Sequence, residues 1–291
     1  MPKNSLKNIT IFAPAKINLY LHITAKRNDD YHLIESLVVF ADYGDQITVT
    51  PSKKLRLKIN GQFADYIKPD NNNLVIKAAL LLAKASGIEP TGNITLTKNL
   101  PVSSGIGGGS ADAAATLRAL TELWDIQIST DSLSSLAEEL GADVPICLKG
   151  VTSIVTGIGE KIKPVPKLPN FWLVLVNPNV LVSTAEVFSA FRGKFLITQP
   201  FNTQQKSIDK LVNSLSQYKN NLTPASVSIA PVIKDVLEAL QSTENQLLSR
   251  VSGSGATCFS LFKTKSHADA AAKELALKYP NWWIKATSIY S

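Results

Sequence analysis

Four glycines, Gly105, Gly107, Gly108 and Gly109, crowd into five positions just ahead of the Ala-rich stretch SADAAATLRALTEL. Without Cβ atoms there, backbone N–H groups can turn inward and meet an anion directly. The stretch behind them has high helix propensity, and Ser110 is placed to cap a helix starting at Ser110 or Asp112. Loop amides and helix N-terminus then aim at one spot, which is the chemistry of phosphate binding. The alternative is a flexible glycine linker, but a linker seldom opens straight into a capped helix. Two common phosphate loops are excluded: no Lys follows the run as a Walker A loop requires, and Ser110 stands where a dinucleotide fingerprint wants Gly or Ala.

Other residues could do chemistry beside such a loop. Lys16 and Asn18 sit two apart in the alternating stretch 9–24, so on a strand both face one way. Polar groups on a mostly apolar strand need partners or a ligand, unless Lys16 simply snorkels from the strand end. Asp143, in Gly141-Ala-Asp-Val-Pro145, is a carboxylate in an apolar turn, either a helix cap or a functional acid, and position alone favours the cap. Tyr31-His32 pairs an aromatic face with a donor–acceptor ring that could stack on a base and read its edge, though surface turn residues look the same. A second glycine loop, Val251–Phe259, runs into a strand.

Elements to position these groups are legible. Strands are expected at 9–24, interrupted at Pro14, and as two strands over 33–50 around a Tyr-Gly turn. Asn73 caps a helix over LVIKAALLLAKAS that Gly87 closes, and 93–98 is a strand feeding Lys98 towards the glycine loop. A second helix is capped at Thr130 or Asp131 and stops at Gly141. The prolines at 164, 166 and 169 mark a boundary. Beyond it come a buried strand FWLVLVNP, a short helix carrying Phe188, one helix over VSIAPVIKDVLEALQS, and a closing helix and strand. Residues 194–224 are polar and read only as a helix with surface loops. Residues 171–291 thus suggest an α+β sandwich resembling a ferredoxin-like domain.

The chain has 291 residues, 45% hydrophobic and 18% charged, a globular balance with ample core. Its net charge is +7 with a pI near 9.2. The basic residues are spread without a five-residue block, so a phosphorylated small molecule explains the sign as well as nucleic acid does. Cys147 and Cys258 are far apart with no CxxC pair, against a disulfide framework or zinc site. The N-terminus lacks a signal-peptide core and no apolar run nears eighteen residues, so a cytoplasmic address is expected.

Three stretches, Pro14-Ala-Lys-Ile-Asn-Leu19, Pro101–Ala115 and Val251–Phe259, stand in the order and spacing of the three motifs of the GHMP kinases, and the chain resembles that family over nearly its whole length. In detail, Tyr31-His32, Asp42-Tyr-Gly-Asp45 and Gly141-Ala-Asp-Val-Pro145 resemble the branch that phosphorylates a cytidylylated methylerythritol for isoprenoid synthesis. The resemblance implies an α+β two-domain fold: a ribosomal-protein-S5-like N-terminal domain over 1–163 and a ferredoxin-like α/β sandwich over 164–291. It implies ATP as phosphate donor and Mg²⁺ with it. Asp143 would be general base towards a tertiary 2-hydroxyl, with Lys16 holding the base ionised and stabilising charge on the attacking oxygen. ATP would be held by Pro101, Val102, Ser103, Ser104, Gly105, Ile106, Gly107, Gly108, Gly109, Ser110 and Ala111, with Asn73 and Lys98. The acceptor would be held by Asn18, Tyr31, His32, Phe188, Gly253, Ser254 and Gly255. No carboxylate cage for metal is legible; Ser110 and Asp143 are the only guesses, so the metal ligands stay unknown. The partner implied is a small molecule, without nucleic acid or membrane, on a monomer or weak homodimer. Asp30 replaces the family's usual Gly before Tyr-His, so that turn is expected to differ. A homoserine- or mevalonate-type kinase is the alternative, and a non-catalytic nucleotide- or RNA-binding protein a more distant one.

Overall fold

The structure is a computed structural model that describes residues 8–196 and 199–290. The N-terminal residues read as lacking a signal-peptide core are partly outside this range, as are two positions of the 194–224 stretch. In chain order the elements are β1 (Ile9–Lys26), β2 (His32–Thr50), β3 (Leu55–Asn60), α1 (Leu74–Ser86), β4 (Gly92–Thr97), α2 (Gly108–Leu123), α3 (Thr130–Leu140) and α4 (Val144–Lys149). Then follow β5 (Ser153–Gly157), β6 (Lys161–Pro164), β7 (Trp172–Asn177), α5 (Thr184–Ala190), α6 (Ile208–Leu215), α7 (Thr223–Ile229), α8 (Val232–Gln241), β8 (Gln246–Val251), β9 (Cys258–Phe262), α9 (Lys265–Lys278) and β10 (Trp283–Ser288).

The chain forms two compact units, and β1 and β2 each pass from one to the other. The first holds the residues up to Ala15, Gly44–Val102 and Gly107–Gly150. Within it the end of β2 pairs antiparallel with β4, and β3 runs parallel to β4. The helix α1 is capped by Asn73, whose Oδ1 accepts from Val75 N at 2.9 Å, and ends on Gly87 at φ +66°. Its buried residues Val75, Ala78, Ala79, Leu82 and Ala83 make one stripe that packs on α2. On α2 the residues from Ala111 to Leu117 are all buried, which only an Ala-rich helix allows without crowding its neighbours.

The second unit holds Lys16–Tyr43, Ser103–Ile106 and everything after Gly150. Its first sheet pairs the start of β2 with β5, and β5 with β6. Its second is antiparallel in the order β10-β7-β9-β8, the fourth, first, third and second strands of that stretch, as a ferredoxin-like sandwich requires.

Several expectations are corrected. Pro14 does not interrupt β1, and 32–50 is one strand rather than two. Gly44 serves close approach, not a turn: a Cβ there would lie 2.2 Å from Ala13 O. The helix behind the glycine loop begins at Gly108, with Gly107 at φ +65° as its cap, so Ser110 lies inside the first turn and caps nothing. Ser129, not Thr130 or Asp131, caps α3. The single helix expected around Pro231 is two, α7 and α8, because proline has no N–H for the ladder.

Candidate active site

In the second unit, β1 is buried continuously from Lys16 to Ile23, so Lys16 and Asn18 lie in the interior, 5% and 2% exposed. The Lys16 backbone N donates to Ile106 O at 2.8 Å. The next bonds continue along the same loop: Thr257 N donates to Ser104 O at 3.0 Å, and Ser252 Oγ donates to Gly105 O at 3.1 Å. Residues 103–106 are thereby clasped by β1 on one side and by the loop after β8 on the other. Gly105, at φ +73°, shows how close the clasp is, since a Cβ would lie 2.4 Å from Ser252 O and 2.6 Å from Gly255 N.

A Gly105→Ala substitution is therefore expected to cost about 2–4 kcal/mol, from overpacking plus a left-handed backbone that alanine resists. Chemical denaturation checks this, and a loss below about 0.5 kcal/mol, ordinary for a neutral surface change, would contradict the clasp.

Asn18 is held by its own bonds. Its N–H meets Ser252 Oγ at 3.2 Å and its Nδ2 donates to Ser36 Oγ at 2.8 Å. Its Oδ1 is buried with no hydrogen-bond partner among the described residues, and a Cβ on Gly253 would come within 3.3 Å of it. A buried acceptor left open beside a glycine loop is a place for a ligand donor, such as a hydroxyl. The loop itself is fixed by groups the sequence reading missed. Asn220 Nδ2 donates to Val251 O and Gly253 O, Ser226 Oγ donates to Ser254 O, and Ser254 Oγ meets Thr184 Oγ1 at 2.9 Å. Asn220 sits in the polar stretch with no periodicity to reveal it.

Tyr31 and His32 follow a turn in which Asp30 adopts φ +68°. That region suits glycine and tolerates aspartate, so Asp30 takes a backbone conformation that a glycine could also take there. The His32 ring lies 5.6 Å from Phe188 and 5.8 Å, edge-on, from Phe191, while Tyr31 is 59% exposed. Burial, and then the Lys26 ammonium, hold the His32 pKa below its ordinary value, so the ring is neutral at pH 7. A neutral imidazole both donates and accepts.

In the first unit, the N-terminus of α2 presents the amides of Gly108 to Ala111, and Ala111 N already bonds Gly107 O at 2.8 Å. Lys98 does not reach outward. Its ammonium is 2.5 Å from Asp45 Oδ2 and 2.7 Å from Asp112 Oδ2, with all three side chains buried. The direct nucleotide contact expected of Lys98 would require it to leave both carboxylates. Asn73 likewise spends its side chain on the α1 cap and on Lys68 O. Asp143 occupies the N-cap position of α4 but its side chain makes no capping bond, which overturns the cap reading. Among the described residues no group of three or more His, Cys, Asp or Glu could hold a metal ion, and no helix is long and apolar enough to cross a membrane.

Comparisons with known proteins identify what the whole chain is similar to. Residues 73–151 match the model of the GHMP kinases N terminal domain, and 202–281 that of the GHMP kinases C terminal domain. A 4-diphosphocytidyl-2-C-methyl-D-erythritol kinase of Paramagnetospirillum magneticum is 46% identical over 98% of this chain and 100% of its own. One from Parvibaculum lavamentivorans is 44% identical over 96% of this chain and 98% of its own. A crystal structure of 4-(cytidine 5'-diphospho)-2C-methyl-D-erythritol kinase superposes with a TM-score of 0.79 at 30% identity, covering 97% of this chain and 100% of that one.

Proposed function

We propose a reaction on the premise that this chain belongs to the GHMP kinases and, within them, to the 4-diphosphocytidyl-2-C-methyl-D-erythritol kinase family. It is an ATP-dependent kinase that phosphorylates the 2-hydroxyl of 4-diphosphocytidyl-2-C-methyl-D-erythritol, a step towards isoprenoid precursors.

The roles of individual residues are our assignment. Phosphoryl transfer is mostly positioning and charge neutralisation. We assign the loop from Pro101 to Ala111 to the ATP phosphates, supported by the open amides of α2 and the rigid clasp on 103–106. Asp143 takes the proton from the tertiary hydroxyl, supported by the likeness of Gly141-Ala-Asp-Val-Pro145 to the family's motif. Lys16 stabilises the negative charge that grows on the attacking oxygen. Asn18, with its open Oδ1, and the loop Gly253-Ser254-Gly255 contact the acceptor. Asn73 borders the nucleotide, and Lys98 serves the site from beneath rather than by contact. Ser110, in the first turn of α2, would offer Mg²⁺ bound with the triphosphate a hard oxygen, and the ion would supply charge neutralisation there; among the described residues there is no dedicated cage. The kinase domains divide at 163/164, between the two matched ranges. The protein works in the cytoplasm, as a monomer or weak homodimer without a membrane partner; that it takes no nucleic acid is supported by a positive charge that forms no basic block.

One observation carries the cytidylyl reading over a homoserine- or mevalonate-type acceptor. It is the His32 ring set against Phe188 and beside the exposed Tyr31. An aromatic surface with a polar edge stacks on and reads a pyrimidine, and has no use for an aliphatic amino or hydroxy acid. CDP is therefore expected to compete with the acceptor, and Phe188→Ala to weaken that competition about tenfold, the scale of one base–aromatic stack. Failure of CDP to compete at millimolar concentration would return the alternative acceptors to favour.

A further inference from the structure

We propose that Lys98 is a positioning residue for the ATP-phosphate site, setting the first N–H groups of α2 through a buried cluster with Asp45 and Asp112. The inference rests on the assignment of the loop 101–111 to ATP. A Cβ on Gly108, the first residue of α2, would lie 3.0 Å from Lys98 Nζ, so the ammonium packs directly under the start of the helix. From β2, Asp45 accepts from Lys98 Nζ at 2.5 Å, Asn99 N at 2.6 Å and Leu100 N at 2.8 Å. Those three donors are consecutive and lead straight into Pro101. From α2 itself, Asp112 holds the other side of the ammonium at 2.7 Å.

One cation thus ties the strand that carries Asp45, the segment that enters the loop, and the helix whose amides meet the phosphates. The group is fully buried, so its bonds are unscreened and their geometry is stiff. A helix end displaced by a fraction of an ångström presents its N–H groups off the phosphate oxygens, and such misplacement weakens nucleotide binding while leaving the acceptor side alone. Burial, and the Asp45 carboxylate, push Asp112 up to about 8 against the pull of Lys98. An amide in its place keeps the shape of the side chain and an oxygen that can accept from the Lys98 ammonium.

Steady-state kinetics tests this with Asp112→Ala, Asp112→Asn and Asp112→Glu, reading KM for ATP and for the cytidylylated acceptor separately. The Ala and Glu variants are expected to raise KM for ATP about tenfold with the acceptor KM within about twofold, and the Asn variant to recover most of the loss. If Ala does not fold, Glu alone carries the positional test, since it keeps the carboxyl group and moves it by one methylene. Equal shifts in both KM values, an ATP KM unmoved by Ala or Glu, or an Asn variant as impaired as Ala would overturn the positioning role. Gly109→Ala separates this from failure of the loop assignment. A Cβ there meets only Leu74 Cδ1, at 3.5 Å, so if KM for ATP ignores that change, the loop is not the phosphate site.

Discussion

Replacing Asp143 by Asn is expected to lower kcat by roughly 10²–10⁴-fold, the range a general base contributes. The acceptor hydroxyl is tertiary, a crowded and weak nucleophile, so losing the base belongs at the upper end of that range. The substitution keeps the shape of the side chain and, because Asp143 does not cap α4 with its carboxylate, removes no capping bond. Binding of ADP and of CDP should stay within about twofold of the parent protein, since neither ligand engages the proton-transfer step. Turnover within about fivefold of the parent enzyme, well above the loss a base implies, would remove Asp143 from the role.

The second large effect is expected at Lys16. Changing it to Met keeps an unbranched side chain of similar length inside a strand buried on both faces, so packing is nearly preserved while the charge is lost. If the ammonium stabilises charge on the attacking oxygen, kcat falls by about 10²–10³-fold with both KM values little changed. Single-turnover quench with saturating ATP and acceptor isolates this step from product release. A rise in KM with kcat intact would instead make Lys16 a binding residue.

Much of what shapes the candidate site was legible in residue type and spacing, because it is backbone geometry that shapes it. Glycines at 105 and 253 occupy positive φ and lie where no Cβ fits, and a glycine cluster ahead of an Ala-rich helix announces that directly. Asn73 and Gly87 bound α1 as local capping rules demand. Partners distant in sequence were hidden. Nothing local says that Lys98 pairs with Asp45, 53 residues away, or that Asn220 braces the loop at Gly253. Asp112 gives a faint sign, as the lone carboxylate in an alanine run, but a charge in a helix usually faces water. The same limit explains β1 and β2. Alternation and turn residues suggested breaks at Pro14 and Gly44, whereas tertiary burial and a close backbone approach carry both strands straight through.

The most direct test of the account is product identification. The protein is incubated with ATP, Mg²⁺ and, in separate reactions, 4-diphosphocytidyl-2-C-methyl-D-erythritol, homoserine and mevalonate, and each product is read by phosphorus NMR and mass. The account predicts one phosphate monoester, on the tertiary 2-hydroxyl of the cytidylylated polyol, formed in step with ADP. Phosphorylation of homoserine or mevalonate at comparable kcat/KM, or none of the cytidylylated polyol, would contradict it.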